Sequence, residues 1–378
     1  MPPSTHPGTA PAALWRRAAL LAAAAAATAG LAGCSSRPSS SGPSTSAPAT
    51  TIPNTSPSPS PSGPSITVMT RNMYFGADLS PLFSATAAQL GTKAAAAYLQ
   101  LQQSDVPARL QADAKEIASA KPDLVALQEA VIWSELPSGN RASKVVYDFV
   151  TGLKADLSTL GSPYTVAASS NGFSGALPVP GVGLVALQDR DVILVRAHDS
   201  RLSVSHPTNG IYRHYLTVHV AGFAIKVKRG WAAVDASAGG RQFHVIATHL
   251  EAYSNPVRDA QAQELLTLVR DDSEPTLVLG DVNSPASGAG SATYDAVRNA
   301  GLGDAWAAAN PGASGFTCCR AADLRSGSLT QRIDMIFTRG AFKVGRAWLV
   351  GAAPSDRTPG GLWPSDHAGV VATLVPPA

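Results

Sequence analysis

From residue 65 onward, short runs of β-branched and aliphatic side chains recur, and almost every run stops at, or is interrupted by, an acid, an amide or a histidine. Ile66 to Met69 leads to Arg71-Asn72, and Leu124 to Leu127 delivers Gln128-Glu129. Leu184 to Leu187 and Val192 to Val195 flank Gln188-Asp189-Arg190-Asp191. Trp231 to Val234, Phe243 to Thr248, Thr276 to Leu279, Ile333 to Phe337 and Val370 to Leu374 read as further strands, with another beginning at Tyr164. Between them lie helical patterns. An Ala-rich stretch ends with Leu110, Ala114 and Ile117 on one face, before Lys121-Pro122 breaks it. A second helix is expected from about Ser143 to Leu160, and a third from Pro256 to about Arg270. The Gly- and Ser-rich stretch from Ser169 to Gly183 is expected to be a mobile loop. Several apolar runs are continuous, as in strands covered on both faces, so the pattern predicts a layered α/β architecture.

The first 64 residues follow different rules. Arg16 and Arg17 precede an apolar, Ala-rich run from Ala18 to Ala32, too short and weakly hydrophobic for a span of ~20 residues. A basic start, an apolar middle and small residues near a cut describe a secretory signal. The string Leu31-Ala32-Gly33-Cys34 resembles a bacterial lipoprotein signal, whose Cys becomes the lipidated N-terminus. An ordinary cleavable signal with an incidental Cys is the alternative. Lipid on Cys34 would make a membrane the protein's partner without a spanning helix. Residues 35–64 are dominated by Ser, Pro, Thr and Ala, cannot build a core, and are expected to form a disordered tether. The expected organisation is thus a signal over 1–34, a tether over 35–64 and one folded domain over 65–378.

Charge constrains the partner. Three of the 29 basic residues and none of the 26 acidic residues lie in the first 64, so the folded part carries 26 of each. An electroneutral domain lends no support to tight, sequence-blind binding of nucleic acid. Cys318 and Cys319 are adjacent, too few for a closed structural zinc site and without metal-type spacing. They are expected to form a vicinal disulfide or to remain as two buried thiols.

The polar punctuation marks carry the chemistry. In chain order they are Asn72, Glu129, Asp189, His249, Asp281 with Asn283, Asp334, and Asp366 with His367. Taken singly, Asn72 is a turn residue, Glu129 a strand cap, Asp281 and Asn283 an Asx turn, and His249 a core histidine. Together, carboxylate and amide oxygens beside an imidazole suit a hard divalent cation and hydrolysis of an anionic ester. Arg71-Asn72, Leu127-Gln128-Glu129, Ala247-Thr248-His249-Leu250, Gly280-Asp281-Val282-Asn283, Arg332-Ile333-Asp334 and Ser365-Asp366-His367 resemble, in order, the motifs of the endonuclease/exonuclease/phosphatase superfamily. The resemblance spans essentially all of 65–378. It implies a four-layered αββα sandwich with its active site at one edge of the paired sheets.

The resemblance also implies roles. Glu129 matches the metal-binding Glu, with Asn72 and Asp366 on the metal side; Mg²⁺ is the expected ion, with Mn²⁺ and Ca²⁺ as alternatives. Asp281 and Asn283 would orient the attacking water and hold a phosphoryl oxygen. Asp334 would fix the tautomer of His367, the general base, and an Asp inside an apolar run is costly unless so partnered. In pancreatic-type deoxyribonucleases and neutral sphingomyelinases a His at the position of His249 contacts phosphate. Asp189, with Asp191 as rival, is the acid expected to pair with it, and Arg229 is a candidate phosphate ligand. Two departures bear on substrate. Ala130, Val131 and Ile132 follow Glu129, where nuclease members often place a basic residue, and His249 disfavours the AP-endonuclease branch. The expectation is a membrane-anchored, Mg²⁺-dependent phosphoester hydrolase, acting on nucleic acid, a phospholipid head group or a small phosphodiester. A non-catalytic surface lipoprotein on the same scaffold is the rival.

Overall fold

The computed structural model describes residues 63–136, 142–271 and 274–378. The expected signal, Cys34 and all but the last two residues of the expected tether lie outside the described residues.

The chain enters through β1 (Ile66–Asn72) and then makes two helices, α1 (Ala87–Gln103) and α2 (Val106–Ala120). Asp105 caps α2 by accepting from the Ala108 N–H, and Lys121 ends it in a left-handed conformation just before Pro122. There follow β2 (Leu124–Gln128), β3 (Ile132–Leu136), β4 (Lys144–Asp148), α3 (Phe149–Thr159), β5 (Tyr164–Val179) and β6 (Gly183–Arg196). The middle of the chain is β7 (Leu202–Ile211), β8 (Leu216–Val220), β9 (Phe223–Val227), β10 (Gly230–Ala238) and β11 (Arg241–His249). The remainder is α4 (Asn255–Asp271), β12 (Thr276–Asp281), α5 (Thr293–Asn299), β13 (Gly303–Asp304), α6 (Ala305–Ala309), β14 (Asp334–Arg339), β15 (Lys343–Val350) and β16 (Gly369–Val375).

Two sheets carry most strands. One has the order β15-β16-β1-β2-β6-β3-β4, with β5 also paired to β6; the other has the order β13-β14-β12-β11-β10-β7. Side-chain alternation fixes the layers. Leu124, Ala126 and Ile193 of the first sheet meet Val245, Ala247, Leu277, Leu279 and Ile336 of the second in a shared core. Val125, Leu127, Val192 and Leu194 point the other way, onto Leu101, Leu110, Ile117, Phe149 and Leu153 of α1 to α3. On the far side Ile246, Val278, Met335 and Phe337 pack against Ala262, Leu265, Leu266 and Val269 of α4. The result is helix, sheet, sheet, helix, the expected four-layered αββα sandwich. The continuous apolar runs are explained by cores on both faces, each fully buried Leu, Ile or Phe contributing about 1.5–3 kcal/mol.

Two expectations need correction. The segment from Ser143 is not helical at its start. Lys144–Asp148 is β4, paired antiparallel with β3, and α3 begins only at Phe149 because Asp148 caps it through the Thr151 N–H. Val145, Val146 and Tyr147 are β-branched or aromatic and favour the strand. Nor is Ser169 to Gly183 a loop. Ser169 to Val179 belongs to β5, only Pro180 to Val182 form the turn into β6, and the β5 backbone pairs along β6 with shifts between Val166 and Ala168 and between Asn171 and Ser174. Gly172 sits where a Cβ would lie 3.1 Å from the Lys228 carbonyl, so its glycine marks a close backbone approach rather than mobility. Among the described residues no helix is long and apolar enough to cross a membrane.

Candidate active site

Strand register gathers the polar ends. In the second sheet His249 lies beside Asp281, and Asp281 opposite Asp334, across three neighbouring strands. The parallel pair β11–β12 is close-set: a Cβ on Gly280 would fall 2.0 Å from the Thr248 carbonyl oxygen, so only glycine fits before Asp281. In the first sheet Asn72 registers with Gln128, which brings Glu129 alongside it. The Asn72 amide joins the sheets, donating to Glu129 Oε1 and to Asp281 Oδ2, both at 3.2 Å. Its own carbonyl accepts from the Tyr74 N–H at 2.9 Å, which fixes the orientation of the amide. Glu129 also accepts from the Phe75 N–H at 2.7 Å. Glu129 and Asn283 both have positive φ, 53° and 50°. Asn adopts this conformation readily; for Glu129 it is strain at a site residue, typically about 1–3 kcal/mol.

Two imidazoles converge on one carboxylate oxygen. Asp281 Oδ2 is 3.6 Å from His249 Nε2 and 3.8 Å from His367 Nε2. Behind His367, Nδ1 meets Asp334 Oδ2 at 2.8 Å, so Nδ1 carries the proton and Nε2 faces the site. Burial works against charge on His367, but Asp334, Asp366 and Asp281 outweigh it and hold its pKa well above the ordinary value. His249 is the opposite case. Burial, then Arg229 and His367, push it well below, so it is neutral. Its Nδ1 faces Arg229 Nη1 at 3.0 Å and must accept, which leaves the proton on Nε2, pointing toward Asp281.

The acids are crowded in the same way. Burial, with Asp366 and Asp189, pushes Glu129 up to about 8; burial and Asp334 push Asp281 up to about 7. Asp366 is raised too, by burial. Asp334 Oδ1 is buried without a hydrogen-bond partner. Carboxylates held above their usual range by burial and each other are what a divalent cation relieves. Glu129, Asp281 and Asp366 supply hard oxygen donors of the kind that Mg²⁺, Mn²⁺ or Ca²⁺ take, whereas Asn72, expected on the metal side, turns its NH₂ group to Glu129 and Asp281 because the Tyr74 N–H holds its carbonyl. Asp281, Asp334 and His367 also offer ligand atoms within 4.8 Å of one another. The residues fit the ion.

Three buried arginines hold the loop that carries Asp366 and His367. Arg71, itself bound to Asp113, donates to the His367 carbonyl at 2.7 Å. Arg109 donates to the Pro364 carbonyl at 2.8 Å. Arg320 donates to the carbonyls of Ser365 and His367, at 3.2 and 3.3 Å, and its guanidinium lies 3.6 Å from the Trp363 ring centroid.

Residues 72–367 match the Endonuclease/Exonuclease/phosphatase family, from the first site residue to the last. The chain belongs to this family. Its members are phosphoester hydrolases that generally use divalent metals. Among solved structures it is similar to an endonuclease/exonuclease/phosphatase from Bacteroides vulgatus, with 15% identity, 83% of this chain and 99% of that one covered, and a TM-score of 0.51. It is similar to a family protein from Leptotrichia buccalis C-1013-b, with 16% identity, 82% and 99% coverage and a TM-score of 0.52. TDP2 of D. rerio, solved with a single-strand DNA product, aligns with 16% identity, 82% and 98% coverage and a TM-score of 0.50. At these identities the likeness is one of fold. No curated protein matches in sequence.

The structure brings Asn72, Glu129, His249, Asp281, Asp334 and His367 together. Asn283 lies beside them in a turn closed on Asp281 Oδ1, and one amide N–H goes to the Leu250 carbonyl at 3.0 Å. The expected pairing of His249 with Asp189, or with its rival Asp191, is not what forms. Arg229 stands between, its Nη1 3.4 Å from Asp189 Oδ2 and 3.0 Å from His249 Nδ1, because two buried acids nearby need a counter-cation. Asp191 is turned toward Ser170 Oγ at 3.5 Å. Arg229 is therefore committed at Nη1 to Asp189 and His249, not free for phosphate there. Sequence reasoning missed Glu251, fully buried with its Oε2 4.0 Å from Arg229 Nε, although it follows His249 by two residues. It also missed Arg109 and Arg320, which no local pattern marks.

Proposed function

We propose that the protein hydrolyses phosphodiester bonds with a divalent cation, Mg²⁺ in the first instance, at this strand-edge site. The observation that carries the reading is the convergence of Asn72, Glu129, His249, Asp281, Asp334 and His367 from six strand ends. Glu129 and Asp366 would hold the ion, with the Asn72 NH₂ group steadying Glu129. When bound, it draws charge from the phosphoryl oxygens and lets an anion be attacked. His367 Nε2, with Asp334 behind it, accepts the proton of the attacking water. Asp281, 3.8 Å from that nitrogen, orients the water. His249 Nε2–H is placed to donate to a phosphoryl oxygen as charge builds there. Arg71, Arg109 and Arg320 hold the backbone beneath His367, so the base keeps its place through the reaction.

Nucleic acid and phospholipid head groups are the two substrate classes. The single-strand DNA product in the D. rerio TDP2 structure supports the first; the lipoprotein-like string ending in Cys34, which would anchor the protein outside the cytoplasm, supports the second. Turnover of plasmid DNA, RNA, sphingomyelin and bis-p-nitrophenyl phosphate with Mg²⁺ tests the proposal. Glu129→Ala and His367→Ala are expected to abolish all of it while the fold remains by circular dichroism. Wild-type turnover in either variant contradicts the site, and inertness of the wild type toward every ester favours a binding protein on the same scaffold.

A further inference from the structure

The hydrolytic site leaves one reactive pair unused. Cys318 and Cys319 form a vicinal disulfide beside the base, with Cys319 Sγ 3.8 Å from His367 Nε2. The backbone fixes this proximity independently of the sulfur atoms. The Ala368 N–H donates to the Thr317 carbonyl at 2.8 Å, and the Arg320 N–H to the Asp366 carbonyl at 2.9 Å, so segments 317–320 and 366–368 bracket each other around His367. Thr317 Oγ1 accepts from the N–H groups of Ile333 and Asp334 at 3.1 and 3.2 Å, tying the same segment to the strand that supports the base. Cys318 is buried, Cys319 exposed.

Both sulfurs and a His367 nitrogen lie within 4.8 Å of one another. Two thiolates and one imidazole are a three-protein-ligand set for a tetrahedral, thiophilic ion, with the fourth position left to water. Asp334 on Nδ1 completes the usual support, since a carboxylate behind the ring fixes the nitrogen lone pair that faces the metal. None of this chemistry overlaps the oxygen ligands that suit Mg²⁺.

We propose that reduction of Cys318–Cys319 opens, with His367, a binding site for a thiophilic divalent cation, with Zn²⁺ as the probe, and that filling it withdraws the base from hydrolysis. A phosphine takes the disulfide oxygen-balanced with water: the S–S bond breaks, each sulfur gains a proton and the phosphine becomes its oxide. Zn²⁺ then replaces the two thiol protons, which go to solvent, and takes the Nε2 lone pair. The oxidised pair offers no thiolate and leaves His367 to the water. The inhibitory half rests on the hydrolase reading; the binding half does not.

The test compares purified wild-type protein, oxidised and phosphine-reduced, with Cys318→Ser/Cys319→Ser. Zinc retained after gel filtration is measured, and Co²⁺ is used as a spectroscopic probe. Reduced wild type is expected to hold one Zn²⁺ per chain and to show thiolate-to-Co²⁺ charge-transfer absorption. The oxidised protein and the double variant should bind Zn²⁺ more weakly by over ~100-fold, beyond what loss of a mere supporting partner costs. Equal zinc retention by reduced and oxidised wild type, or charge-transfer absorption in the double variant, overturns the site. Zn²⁺ should stop turnover in the reduced wild type, reversibly by chelator, and spare the double variant; zinc bound without loss of turnover overturns the coupling. If no ester is turned over in any state but zinc binds as stated, the hydrolase reading fails and the thiophilic site stands.

Discussion

Replacing Asp334 by Asn removes one charge from behind His367 and keeps the shape. The contact is 2.8 Å between two buried groups, and Asp334 heads the causes that raise the imidazole against its burial. An opposite charge at such range favours the charged form by about 1–3 pKa units, or about 1.4–4 kcal/mol at 1.36 kcal/mol per unit. The sign follows directly. Asp334 stabilises the imidazolium, so His367 is a base only once pH exceeds its raised pKa, and Asp334→Asn brings that pKa down. The acidic limb of kcat/KM for bis-p-nitrophenyl phosphate, at saturating Mg²⁺, should move about 1–3 units lower in pH. On the plateau the rate should fall by about 10²–10⁴, because an amide also donates and no longer enforces the tautomer with a bare Nε2. A limb that stays put or moves upward, or a plateau rate within a few-fold of wild type, refutes the assignment of Asp334 and His367.

Glu129→Gln should raise the thermal midpoint of the metal-free protein near neutral pH, because a half-buried carboxyl held up at about 8 by desolvation, Asp366 and Asp189 must take up a proton on folding and an amide need not. The same variant should lose the stabilisation by Mg²⁺, which for wild type is about 2.7 kcal/mol at one hundred times Kd; calorimetry reads both. Burial pushes Glu116 up to about 8, since one guanidinium, Arg71, is shared between it and Asp113. The folded state then binds the proton more tightly than the unfolded chain, so stability should fall as pH rises from about 4.5 through about 8. Glu116→Gln should flatten that slope in urea titrations, and an unchanged slope would count against the shift. Gly280→Ala places a methyl 2.0 Å from the Thr248 carbonyl oxygen, and should part β11 from β12 and with them His249 from Asp281. Little soluble folded protein is expected; a normally folded, active variant would show that the close approach is not required.

Most of the second sheet and its neighbours could be read from the chain. β1, β2, β11, β12, β14 and β16 are short, strongly apolar and buried, so their hydrophobic pattern is set by the two cores they divide. The ends of such strands are where polar residues stand out, which is why Asn72, Glu129, His249, Asp281 and Asp334 were visible. β7, β8 and β9 were not, because few of their side chains are buried and their residues follow solvent rather than a core. The later part of β5 reads as a loop because its Gly and Ser residues carry turn signals, and the reason for Gly172, a neighbouring backbone at Lys228, is not revealed by sequence. The contacts of Arg229, Arg109 and Arg320 depend on tertiary distance alone. So does the meeting of Cys319 with His367, 48 residues apart in sequence.

The proposed hydrolysis depends on a hard divalent ion sitting among Glu129, Asp281 and Asp366, next to His367. The most direct test is an anomalous-difference map from crystals of the protein soaked in Mn²⁺. One strong peak against a Glu129 carboxylate oxygen, on the side shared with Asp366, absent from Glu129→Gln crystals, is the expected result. A peak elsewhere with this cluster empty, or the same peak in both proteins, would contradict it.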